Sequence, residues 1–274
     1  MATDPRPGAV PFAEAIAYLR DKLLLPTRAW TDLWQEQHAV AFTVAGAQSI
    51  ALVADFHAAV LAAIEGGETL ASFRARFDEI VAKHGWSYNG SRGWRSRVIF
   101  NTNLRMAYQA GRWQQADRLK ATRPYLRYSA ILDNRTRPLH RAWHGTILPI
   151  GDAWWQQHYP PNGWHCRCTV MSLSERDLAR RNWKVSDPAP ASPIVMVPVP
   201  GRGIEAVPKG IDPGFAYNPG AAGLRAMAVR YAEHQVAQLP AVLRPAATDA
   251  MAQAARQANE LLLQDEPPAP EDAG

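Results

Sequence analysis

Apolar side chains recur at three- and four-residue spacing through the first 120 residues, the signature of amphipathic helices rather than strands. Phe12, Ile16, Leu19 and Leu23 predict a helix over residues 12–24, stopped by Pro26. Ile50, Val53, Phe56, Val60 and Leu61, interleaved with alanines, predict a second over 45–64, closed by the Gly66-Gly67 pair. A third opens at Glu68 or Thr69, passes through Phe73, Phe77, Ile80 and Val81, and ends at Gly85. The polar turn Asn89-Gly90-Ser91 then leads into a long helix over 92–120, with Val98, Leu104, Tyr108 and Trp113 on one face. Such stripes are core material, so residues 1–120 are expected to form a helical domain.

The period changes after Pro124. Residues 125–131 alternate as a short strand, and residues 167–173 are a second strand candidate beyond a Trp- and Pro-rich loop. Ser174, with Asp177 three residues on, has the form of a capping box opening a helix to about Trp183. Eight prolines between 186 and 219 exclude a continuous helix there and favour strand edges, turns or an extended arm. Helical patterning returns at 223–238 and 241–264, and the acidic, proline-rich tail 266–274 is expected to be disordered. The resulting fold class is α+β: an N-terminal helical half, a small mixed β/loop core over 121–220, and C-terminal helices over 221–265. No internal repeat is visible.

Composition narrows the classes. At 47% hydrophobic and 20% charged, the 274-residue chain fits a folded globular protein. No apolar run approaches the ~20 residues of a membrane span, and the start, MATDPRPGAVPF, lacks the basic-then-apolar order of a secretion signal. The expected setting is the cytoplasm, or a particle assembled there, without a membrane partner. The net charge of +5 suits a nucleic-acid neighbour but equally an ordinary soluble surface. Six of the ten tryptophans fall between 94 and 164, which marks the middle of the chain as the anchor of a core or an interface.

Both cysteines of the chain, Cys166 and Cys168, sit two residues apart. In a chain with no secretion signal they are expected to be reduced, and adjacent thiolates repel unless a cation lies between them. On an extended strand the two would share a face. His140 and His144, four residues apart, would share a face of a helical turn. Together His140, His144, Cys166 and Cys168 make a geometrically reasonable zinc site. His165, next to Cys166, would point away. The alternative is that the cysteines are small buried hydrophobes and the histidines are satisfied by hydrogen bonds.

The run Asp133-Asn134-Arg135-Thr136-Arg137-Pro138-Leu139-His140, the following His144-Gly145, and Tyr159-Pro160-Pro161-Asn162-Gly163-Trp164-His165-Cys166-Arg167-Cys168 resemble the core motif of the phage Mu F-like, or head morphogenesis, family. The positions that carry the likeness are Asp133, Arg137, His140, Cys166, Arg167 and Cys168. A second stretch, Gly210–Gly220 (GIDPGFAYNPG), and the helix containing Arg97–Asn103 extend it over about residues 92–220. The resemblance implies a minor head protein of a tailed phage or prophage. Such a protein associates with the portal protein and capsid or scaffold subunits during procapsid assembly, is located in the head interior of the virion, and has packaged double-stranded DNA as a candidate further partner. It implies no catalytic residue.

The rival expectation is a zinc-dependent hydrolase or nuclease using the same histidines and cysteines, with Asp133 or His144 as base. A closed four-ligand site and the lack of a second carboxylate within the motif weigh against it, and Asp133 is also ordinary turn chemistry. Members of the family that carry toxins have an extra domain, for which the chain beyond 220 is too short. Arg135, Arg137, Arg141 and Arg167 suit either DNA phosphates or structural pairing with Asp133 and Asp152.

Overall fold

A computed structural model of the chain describes residues 12–253. The chain divides into two compact units, Met1–Leu224 and Arg225–Gly274. In the first, helix α1 (Ala13–Arg20) is shorter than its apolar pattern predicts. Leu23 and Leu24 leave it to form a two-residue strand, β1, which pairs in parallel with β2 (Ala41–Phe42) just after the short helix α2 (Gln37–Val40). Helix α3 (Ile50–Gly66) begins at Ser49, whose hydroxyl accepts the Leu52 N–H, and not at residue 45. Gly46, at φ +84°, lies in the turn before it. Helix α4 (Leu70–His84) is capped by Thr69 and ended by Gly85 at φ +56°. Helix α5 (Arg92–Arg118) is capped by Ser91.

Helix α5 is the axis of the unit. Its buried face is Ile99, Phe100, Met106, Ala107, Ala110 and Trp113, while Val98, Leu104 and Tyr108 are only partly covered. The predicted stripe is therefore too narrow, because α5 packs against α1, α3 and α4 and also against the β core. That core is a three-stranded antiparallel sheet, in the order β4 (Ile147–Pro149), β3 (Tyr125–Ser129), β5 (Thr169–Leu173). Leu126 and Tyr128 of β3 are fully buried in the main core. On the alternate positions, Arg127 stacks on Trp183, 4.4 Å from the ring centre. Between the strands lie two five-residue helices, α6 (Pro138–Ala142) and α7 (Trp154–His158), which sequence periodicity could not reveal.

Helix α8 (Glu175–Arg181) follows β5, and its Ser174–Asp177 capping box is formed as expected. The proline-studded stretch folds into a hairpin, β6 (Ile194–Val199) with β7 (Gly203–Pro208). Pro198 and Pro208 sit at positions whose backbone faces away from the partner strand, so no ladder hydrogen bond is lost to them. Helix α9 (Pro219–Gln238) begins with Asn218, whose side-chain carbonyl accepts the Gly220 and Ala221 N–H groups.

One hydrophobic core runs from Ala15 to Ala222, so the chain does not part into separate bodies at residue 120. The physical reason is α5, which serves the helical half and the sheet with one continuous buried face. The second unit is helical again over residues 244–253. The remainder of the predicted 241–264 helix and the acidic tail lie outside the described residues.

Candidate metal centre

The motif assembles where α6, the segment before β5, and the loop before α9 converge. Pro138 at the first position of α6 pre-sets the helical turn, which places His140 inward, 2% exposed. His140 stacks on Trp143, with ring centres 5.2 Å apart. Its Nε2–H donates to the carbonyl of Gly210 at 2.9 Å. The lone pair of Nδ1 is thereby left facing both thiols: Cys166 Sγ and Cys168 Sγ each lie 3.6 Å from it. All three ligand atoms fall within 4.8 Å of one another, and both cysteines are reduced and buried.

His144 is not part of this cluster. Helix α6 ends at Ala142, so the four-residue spacing no longer puts the two histidines on one face. The His144 ring is used elsewhere. Nδ1 accepts the Ala130 N–H at 3.1 Å, and Nε2 faces the Arg127 guanidinium at 3.2 Å. The cysteines also reach each other by a route other than a strand. They precede β5 in an irregular segment that follows a turn in which Cys166 N–H donates to Gly163 O and His165 takes φ +60°. His165 points away from the cluster, into the wall of a cavity described below.

Second contacts hold the ligands in place. Arg105 of α5 donates to the Cys166 carbonyl at 2.6 Å. Arg167, between the cysteines, forms a two-pronged pair with Asp133, at 2.7 and 2.6 Å. That guanidinium, a backbone N–H from Arg135 and nearby charge hold the Asp133 carboxyl far below the usual carboxylate range. Arg137 donates to Asp212 at 2.7 Å and to the Trp164 carbonyl at 3.1 Å, while Asp212 accepts the Trp164 N–H at 2.8 Å. Asp133 and Asp212 thus take the two arginines. Asp152 instead accepts the Trp154 N–H. Of the motif residues, Asp133, Arg137 and Arg167 are braces around His140, Cys166 and Cys168.

The two thiols interact directly. Sharing a hydrogen bond with Cys168, and with His140 alongside, Cys166 is pulled well below a normal thiol pKa; the same hydrogen bond and burial push Cys168 up. Two soft sulfurs and an imidazole nitrogen at low exposure are a donor set suited to zinc.

Beside the motif lies a cavity of about 450 Å³ that no sequence pattern marks. Lys22, Trp30, Trp94, Arg95, Trp164 and Phe215 are among its lining residues. Trp164 and Phe215 belong to the two quoted stretches, but Lys22, Trp30, Trp94 and Arg95 come from separate segments, so only the fold reveals them together.

With this geometry in place, comparison with known proteins identifies the chain's relatives. Residues 54–171 match the family model described as phage Mu protein F like protein. The putative capsid assembly protein F of Escherichia phage Mu is 34% identical over 193 residues, covering 65% of this chain and 44% of that protein. The Mu-like prophage FluMu F protein of Haemophilus influenzae is 35% identical over 167 residues, covering 57% of this chain and 40% of that protein. The chain therefore spans less than half the length of these curated relatives. No solved structure matches it. The matched region contains Asp133, Arg137, His140, Cys166, Arg167 and Cys168, so the likeness to phage Mu protein F like protein rests on the same segment that builds the cluster.

Proposed function

We propose that this protein is a minor head protein of a tailed phage or prophage. In this reading it associates with the portal protein during procapsid assembly, contacts capsid or scaffold subunits, and remains in the virion head after assembly in the host cytoplasm. The observation that carries the reading is the 34% identity, over 193 residues, to a protein named for capsid assembly.

The site supports an assembly role over the hydrolase alternative. His140, Cys166 and Cys168 are 2%, 5% and 6% exposed, buried as a structural site's ligands are rather than presented at the surface. The carboxylate proposed as a base, Asp133, is held by Arg167. Contact with double-stranded DNA, if made, falls to arginines other than Arg137 and Arg167, since those two are paired.

Co-expression with the portal protein of the same phage or prophage is the direct test. The expected outcome is a complex that co-elutes through size exclusion, and a head fraction that lacks mature particles when this gene is deleted. A protein that ignores the portal, yields normal heads on deletion, and cleaves nucleic acid or peptide in a metal-dependent way would sink the proposal.

A further inference from the structure

We propose that His140, Cys166 and Cys168 bind one zinc ion, and that the Gly210–Gly220 stretch is the second half of the same site. The inference is independent of the head-protein reading and stands or falls separately.

The distances fit the metal. With Zn–S of about 2.3 Å and Zn–N of about 2.0 Å at tetrahedral angles, a sulfur and a nitrogen on one zinc stand about 3.5 Å apart. Both Sγ atoms lie at 3.6 Å from His140 Nδ1. A single imidazole lone pair accepts one S–H well, but here two sulfurs approach it at equal distance. One cation at the shared focus satisfies all three atoms. Charge gives the same answer: two thiolates and one zinc sum to zero, which lets the ligands lie at 6% exposure or less without a buried net charge.

The ring is also set for ligation. A ligating histidine usually donates its other N–H to a carbonyl or carboxylate, which fixes the tautomer. Gly210 O does this for His140. Gly210 has φ +95°, and a Cβ there would stand 2.8 Å from Leu139 Cδ1 and 2.9 Å from Trp143 Cη2. Only glycine brings this carbonyl down onto the ring, which explains why a motif 70 residues downstream belongs to the site. Asp212, two residues on, then locks Arg137 at the start of α6. The protein supplies three ligands, and the fourth position goes to a small exogenous ligand such as water. Because the site is closed to larger molecules, the ion acts as a pin joining α6, the Cys-x-Cys segment and the loop before α9.

The full chain is purified reduced and without chelator, and its metal is measured by mass spectrometry. One zinc per chain is expected, and cobalt exchange should give thiolate-to-metal charge transfer with the intense visible bands of a tetrahedral site. His140→Ala and Cys168→Ser should lose the metal, while His144→Ala should keep it in full. Absence of stoichiometric metal after zinc reconstitution, or metal without thiolate charge transfer, overturns the proposal. So does loss of metal in His144→Ala equal to that in His140→Ala. If the cysteine variants are insoluble, wild type decides: chelation should lower Tm and zinc should restore it, and an unchanged Tm counts against the site.

Discussion

At the residue scale, Lys22 is a charge that the fold disfavours. It is 8% exposed, with the His38 carbonyl and the face of Tyr18 against its ammonium, and burial pushes its pKa down to about 7. In the unfolded chain a lysine titrates near 10.4. Between these values the unfolded state binds more protons than the folded one, so stability rises with pH from about 7 upward; below 7 both states are protonated and the penalty is constant. From pH 7 to 9 the rise is at most roughly 2–3 kcal/mol. Urea unfolding at the two pH values should show it in wild type, and Lys22→Met should flatten it. A variant with the same pH slope as wild type would show that Lys22 keeps its proton in the fold.

Elements were legible to the degree that their cause was local. Ser49, Thr69, Ser91 and Ser174 all cap helices through their own hydroxyls; the last three stand at the polar openings that the pattern marks, whereas the alanine-rich run before Ser49 hid its cap. Ser174→Ala should therefore cost about 1 kcal/mol, read as a lower Tm, with the fold intact by circular dichroism. The sequence misled where tertiary pairing overrode pattern. Leu23 has helical spacing, yet it is drawn off into a pair with Ala41. The cluster shows the same division. The likeness of the Asp133–Cys168 run singled out His140, Cys166 and Cys168, but His144 was assigned by a helical spacing that α6 is too short to sustain. For Arg137 the sequence left DNA contact and structural pairing with Asp133 or Asp152 both open; its partner is Asp212, 75 residues away, and no local rule connects the two. Gly210 belongs to the same class of long-range necessity. Gly210→Ala places a side chain at φ +95° against Leu139 and Trp143, and should cost about 2 kcal/mol or more. Denaturant unfolding would measure it; a neutral result would mean the loop can move off His140, and the carbonyl would not be its anchor.

For the molecule as a whole, a single core joins the helical half to the sheet, so the motif packs into the same core as the helices of the first unit. Its centre is aromatic: Trp143, Trp154, Trp155, Tyr128 and Tyr159 pack edge to face around His158 and His140. His158 is 1% exposed, stacked on Trp154 with Nδ1–H donating to the Trp154 carbonyl at 3.2 Å, and burial lowers its pKa to about 4. His38, half-buried beside Lys22, is lowered to about 4 chiefly by the same cause. A histidine whose folded pKa lies below its unfolded value of about 6.5 gives stability that is complete above that value. This stability drains away as pH falls from 6.5 toward 4, where the unfolded chain takes up protons that the folded chain refuses. Going from pH 7 to 5, His158 alone accounts for up to about 2 kcal/mol. Because one core spans the unit, the loss should appear as a single cooperative fall in Tm across that window, not as local fraying. His158→Asn, neutral at every pH, should start less stable at pH 7 yet lose less on acidification. If it instead follows the wild-type slope between pH 7 and 5, the acid sensitivity has another origin and His158 already carries its proton in the folded core.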